Sequence, residues 1–119
     1  MYDDVVKEIV SEIHGCLKVG IYDYEARKEL GIFTQISGHD PDVTAQAYSR
    51  LISKLYDALS YFPDEKVGPF EILIITTLKT HALLVKVPGK PIIIGVIIPL
   101  NSNLGLARTV LKKVAREIS

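Results

Sequence analysis

The stretch "PIIIGVIIP", residues 91–99, is apolar at consecutive positions rather than at alternate ones. A strand with one wet face alternates with a period of two, so an unbroken apolar run of strand length is covered on both faces. This feature places 91–99 at the centre of a sheet and requires helices above and below it. The full run, Pro91 to Leu100, spans 10 residues, half of the roughly 20 that cross a bilayer. It is therefore a core strand. Pro91 and Pro99 bound it, where a missing ladder donor is tolerated.

The rest of the chain supplies the layers. Apolar side chains at Tyr2, Val5, Val6, Ile9, Val10 and Ile13 follow helical spacing, so residues 2–14 read as an amphipathic helix. Asp3 and Asp4 sit in its first turn, where the helix dipole favours negative charge, and Gly15 is placed just past its C-cap. "CLKVGIYD" (16–23) and "ELGIFTQIS" (29–37) read as strands. In the second, alternation puts Leu30, Ile32 and Ile36 on one face, with Gln35 and Ser37 on the other. The link between them carries no Asn-Gly or Asp-Gly signal, so its turn type is not legible.

"GHDPD" (38–42) starts a helix, with Asp40 as the cap and Pro41 at the first helical position. Apolar positions from Ala45 to Phe62 extend it until Pro63, which disfavours helical geometry in the residue before it. Strands at 70–77, 81–87 and 91–99 follow, the last two joined by a Pro88-Gly89 turn. The final helix is expected to begin near Asn103 with Ser102 or Asn101 as N-cap. Ala107, Val110, Leu111, Val114 and Ile118 form its inner stripe, and Arg108, Lys112, Lys113 and Arg116 face outward. Residues 1–119 thus read as one α/β (α+β) domain in the order α-β-β-α-β-β-β-α.

Composition excludes several classes. With 48% apolar and 24% charged residues the chain has ample material for a core, so disorder is not expected. Acidic and basic residues balance at 14 each, so no net field draws the protein to nucleic acid or anionic lipid. A single cysteine, Cys16, excludes an internal disulfide framework and fits a reducing compartment. The opening "MYDDVVKEIV" is acidic and lacks the basic region of a signal peptide, so a cytoplasmic location and no membrane insertion are expected. Isoleucine occurs 15 times, and asparagine and glutamine twice each; few thermolabile amides among abundant charges fit a thermophilic source.

No catalytic constellation stands out. His14 and Cys16 are two apart, but a thiolate–imidazole pair needs hydrogen-bond reach and an orienting third group. A capping histidine and a buried cysteine explain them. Helix capping accounts for Asp40 and Asp42 beside His39, and no metal-ligand spacing is present. His81 opens a strand and is expected to face solvent. "GPFE" and "PGK" match neither glycine-rich phosphate-binding pattern, so no nucleotide, metal or other cofactor is expected.

The element order together with "NLGLAR" (Asn103, Leu104, Gly105, Leu106, Ala107, Arg108), leading into a basic-faced helix, resembles the roadblock family of dynein light chains and small-GTPase regulators. The resemblance is strongest from Phe70 to Glu117. It implies a profilin-like fold with a five-stranded antiparallel sheet in the order 2-1-5-4-3. The first and last helices would share one face and the second helix the other. Gly105 would allow close approach of helix and sheet. Members often have an Asp-Gly turn between the first two strands, where this chain has Asp23-Tyr24 and a longer link.

The resemblance further implies a non-enzymatic homodimer, the third strands paired edge to edge and the second helices antiparallel over the seam. Ile72, Leu73, Ile74 and Ile75 carry no charge or proline that would block such pairing. The contact surface for dimer or partner is expected at Tyr48, Leu51, Ile52, Leu55, Tyr56, Leu59, Ile72 and Ile74. The implied partner is a Ras-like small GTPase, regulated or scaffolded. An adaptor in a larger complex is the alternative, and a small-ligand sensor with a polar pocket near His14, Cys16 and His81 is a third.

Overall fold

A computed structural model describes residues 2–119. The elements are α1 (Asp3–Glu12), β1 (Lys18–Asp23), β2 (Lys28–Thr34), α2 (Pro41–Leu59), α3 (Asp64–Val67), β3 (Ile72–Thr76), β4 (Thr80–Lys86), β5 (Ile92–Pro99) and α4 (Leu104–Glu117). All neighbouring strands are antiparallel, in the order β2-β1-β5-β4-β3. The consecutive apolar strand is central, as its sequence requires: every residue from Ile92 to Val96 is buried. Alternate residues serve two cores. Ile92, Ile94, Val96 and Ile98 pack with α1 and α4, while Ile93 packs under α2 with Tyr22, Ile52 and Leu84.

Local chemistry sets the helix ends. Asp40 Oδ1 accepts hydrogen bonds from the Asp42 and Val43 amides, at 3.1 and 3.2 Å, and Pro41 follows the cap. The helix ends at Leu59, three residues before the expected stop. Pro63 cannot donate to the Leu59 carbonyl, which is taken instead by the Phe62 amide at 3.1 Å in a tighter turn. The short α3 then starts after Pro63, an element that periodicity did not reveal because it buries no residue. The last helix is capped by Asn103 itself, whose Oδ1 accepts from the Leu106 amide at 2.9 Å. Ser102 and Asn101 are not the cap.

The β1–β2 pair departs from simple alternation. Ile21 pairs with Gly31 but Tyr22 pairs with Glu29, so Leu30 is the extra residue of a bulge. Leu30 and Phe33 therefore pack on the α1/α4 core, while Ile32 is exposed. The expected common face for Leu30, Ile32 and Ile36 is wrong for this reason; Ile36 lies beyond the strand end. The hairpin is closed by Asp23, whose Oδ1 accepts from the Glu25 and Ala26 amides at 3.0 and 2.8 Å. Arg27 takes a left-handed conformation at φ 58° to return the chain.

Close approach is needed at Gly20, not Gly105. Gly20 pairs across the sheet with Gly95, and the Tyr22 ring lies over Gly20, so a β-carbon there would collide with the ring. Gly105 is exposed, and a β-carbon would meet only the Asn103 Oδ1 at an ordinary 3.6 Å. Gly20→Ala should therefore lower stability by about 1–3 kcal/mol through overpacking, whereas Gly105→Ala should raise it by up to about 1 kcal/mol through helix propensity. Urea unfolding of the two variants checks both signs.

Candidate protein-binding face

Two neighbouring stripes on α2 divide its work. Ala45, Ser49 and Ile52 are buried against the sheet, and the Ser49 hydroxyl is satisfied by the Ala45 carbonyl at 2.7 Å. Tyr48, Leu51, Leu55 and Leu59 are only half-buried and pack at the margin of the same cluster. The body of α2 lies over β2 and β1. The β5-β4-β3 portion of that face is thus covered by side chains from this flank rather than by the helix itself. Further along the sheet Ile97 and Ala82 are half-buried and Ile75 is exposed, in one cross-strand row. A continuous apolar surface runs from α2 to the β3 edge.

Aromatic rings stiffen this surface. Tyr48 stacks on Tyr22 with centroids 4.8 Å apart, and Tyr56 lies edge-on to Phe70 at 6.1 Å. The Lys18 ammonium sits over the Tyr48 ring, 5.8 Å from its centroid. Burial raises the Tyr48 phenol above its usual pKa and lowers that of Lys18, which the Glu29 charge partly offsets. Tyr24 is likewise raised, first by burial and then by its hydrogen bond to Tyr56. These hydroxyls are neutral, so the surface is apolar in charge as well as in composition.

The edge of β3 is open. The Lys86 amide bonds the Glu71 carbonyl at 3.0 Å and the Thr77 amide bonds the Thr80 carbonyl at 2.8 Å. Antiparallel alternation then turns the N–H and C=O of Ile72, Ile74 and Thr76 outward, away from β4. No charged or proline residue interrupts Ile72–Thr76.

The structure sorts the predicted contact residues. Tyr48, Leu51, Leu55 and Leu59 lie along the accessible side of the α2 cluster, whereas Tyr56 is exposed toward the β1–β2 hairpin, against Tyr24 and Phe70. Ile52 does not: it is fully buried beneath its own helix, because the turn that carries Leu51 and Leu55 to the flank carries Ile52 to the sheet. Ile72 and Ile74 oppose Val85 and Leu83 of the α1/α4 core, so their side chains point to the other face. The β3 residues on the α2 side are Leu73 and Ile75, opposite Leu84 and Ala82. The strand's parity was not legible because all four positions are apolar. Of the "NLGLAR" residues, Asn103 caps, Ala107 is buried, Leu104 packs on the core, and Gly105 and Arg108 are exposed.

The histidine and cysteine candidates do not converge. His14 is exposed, while Cys16 is buried with its thiol pKa raised by that burial. The His39 Nε2 lies 2.8 Å from Glu29 Oε1, tying the α2 entry to β2. His81 is half-buried, with its Nδ1 2.7 Å from the Thr76 hydroxyl, rather than fully in solvent. Among the described residues no group of three His, Cys, Asp or Glu is placed to hold a metal ion. Two hollows of about 420 and 430 Å³ lie between α1 and β2 and between α2 and the β1–β2 hairpin, and neither is lined by His14, Cys16 or His81. No helix among the described residues is long and apolar enough to cross a membrane.

This architecture, with its open β3 edge beside a half-covered α2, is the roadblock/LC7 fold. MglB of Myxococcus xanthus superposes with a TM-score of 0.81 at 16% identity, covering 98% of this chain and 89% of that one. A roadblock/LC7 domain of Streptomyces avermitilis gives 0.79 at 13% identity, with 98% and 92% coverage. The gliding protein MglB of Thermus thermophilus gives 0.72 at 13% identity, with 95% and 82% coverage. No protein-family model and no curated protein sequence matches the chain.

The division of α2 is directly testable. Ile52→Ala should lower unfolding stability by about 2–5 kcal/mol, the range for a fully buried aliphatic side chain. Leu51→Ala should cost clearly less in dilute protein. Paired urea titrations would contradict the assignment if the two losses were equal.

Proposed function

We propose that this chain is a non-enzymatic homodimeric module that regulates or scaffolds a Ras-like small GTPase. The observation that carries the dimer is the coincidence of an open, uncharged β3 edge with the apolar surface of α2 on the same side of the molecule. Exposed apolar surface of this extent next to unpaired strand groups is a liability in a monomer and an interface in an oligomer. Pairing β3 with its twin would satisfy the outward groups of Ile72, Ile74 and Thr76. It would also bring two copies of the Tyr48–Leu51–Leu55 flank together over the seam.

The roadblock resemblance, and the fold shared with MglB, support the partner class. In this reading the chain supplies a surface and no chemistry: the GTPase contributes the nucleotide and the reacting groups. Regulation would then act by positioning the GTPase's own residues. The adaptor reading uses the same surface and differs in one respect, an affinity indifferent to the bound nucleotide.

Light scattering behind size-exclusion chromatography should give a mass near twice 13.2 kDa. Ile74→Pro removes an outward donor at the free edge while leaving the β4 ladder intact, so it should yield folded monomers. Leu55→Asp should give monomers or aggregate, because an unpaired charge in an apolar contact costs several kcal/mol. A dimer unmoved by both changes would assign self-association to another surface. Titration with a Ras-like GTPase loaded with GDP or a GTP analogue then separates regulator from adaptor.

A further inference from the structure

The balance of 14 acidic and 14 basic residues conceals a strong segregation. Residues 72–116 contain seven Lys or Arg and no Asp or Glu, whereas residues before 72 carry thirteen acids against seven bases. The fold sets the two populations on neighbouring helices: α1 presents Asp3, Asp4, Glu8 and Glu12, while α4 beside it presents Arg108, Lys112, Lys113 and Arg116.

Within α4 the cations divide again. Lys113 turns toward α1 and pairs with Glu12 at 2.9 Å. Arg108, Lys112 and Arg116 recur every four residues, a row about 12 Å long on one side of the helix. The Lys112 Nζ lies 2.9 Å from the Glu71 carboxylate at the start of β3, which fixes the direction of the row. Arg108 and Arg116 have no carboxylate within salt-bridge distance among the described residues. Beside them the Ile72 and Ile74 side chains, on the α4 side of the sheet, form an apolar strip; Ile72 is half-buried and Ile74 exposed.

We infer that the α4 side of the β3 edge, where the Ile72 and Ile74 side chains form an apolar strip beside the basic row of Arg108, Lys112 and Arg116, docks an acidic amphipathic segment of a partner protein. Glu71 already demonstrates the chemistry. It is an exposed carboxylate held by the middle of the row, and Lys112 first, then Arg108 and Arg116, keep its pKa below the usual range. A partner whose leucines meet the isoleucines would place its own acids on the two free arginines.

Geometry favours a narrow segment over a broad anionic surface. The acidic α1 packs beside α4 on the same face, at the roughly 8–10 Å spacing of packed helices, within about one Debye length. A flat anionic bilayer or a nucleic-acid duplex would meet those carboxylates together with the arginines. A single helix or strand laid along the Ile72–Ile74 strip would not. Edge pairing of β3 uses backbone groups and leaves the Ile72 and Ile74 side chains on the α4 side of the sheet.

The test uses the full chain and a fluorescein-labelled peptide with Leu at i, i+3, i+4 and i+7 and Glu at its outer positions. Anisotropy should show saturable binding that weakens with salt, with amide shifts in labelled protein confined to residues 71–76 and 104–117. The Arg108→Glu, Arg116→Glu double variant should bind at least tenfold more weakly while keeping its melting temperature and its oligomeric mass. A peptide with Lys in place of Glu should not bind. Absence of binding, equal affinity in the double variant, or shifts on α2 instead would overturn the assignment. So would arginine-dependent binding of phosphatidylglycerol vesicles or duplex DNA as tight as that of the peptide. Because mass and GTPase binding are measured separately, failure here leaves the dimeric regulator reading standing, and the converse holds.

Discussion

The structure depends on one strand being dry on both sides. With every residue from Ile92 to Val96 buried, β5 can exist only if helices cover the sheet above and below it and β1 and β4 flank it. Those demands set the layer order, and they also set where function can reside. A five-stranded sheet centred on β5 ends in β2 and β3. Three helices of ordinary length cannot cover both faces out to both edges. The α1/α4 pair fills one side, and α2 alone must serve the other, lying over β2 and β1 and leaving the β3 side thinly covered.

The two faces of β3 consequently differ in chemistry. On the α2 side, Leu73 and Ile75 join an apolar surface whose tyrosine hydroxyls carry no charge and whose neighbouring cation is Lys18, over Tyr48. On the α4 side, Ile72 and Ile74 lie beside a row of cations of which Lys112 alone is paired, with Glu71. Self-association suits the first surface, since identical neutral surfaces can meet without repulsion. The second, a basic row beside an apolar strip, attracts an acidic partner. One edge strand thereby separates two kinds of recognition by the alternation of its side chains alone.

Much of this was legible from residues with strong local signals. The cap at Asp40 follows from which backbone groups need partners, whereas the helix before Pro63 closed three residues earlier than its proline suggested, because the proline leaves the Leu59 carbonyl without an amide four residues on. Alternation failed where the chain inserted an extra residue, since the bulge at Leu30 shifts every later side chain of β2 to the opposite face. Parity also failed in β3, where four consecutive apolar residues give no phase. For α2, spacing put Leu51, Ile52 and Leu55 on one broad stripe without saying which of them meets the sheet.

By itself the sequence determined the element order, the central place of 91–99, the two-sided helical cover and the neutrality of the whole, because each rests on short-range periodicity or on a count. Tertiary structure alone decided that Ile52 is core and Leu51 flank, that Gly20 rather than Gly105 must lack a side chain, and that Lys113 pairs with Glu12 and Lys112 with Glu71 while Arg108 and Arg116 pair with neither. Those outcomes depend on helix rotation, strand register and the packing of segments distant in the chain, and local spacing carries no information about any of the three.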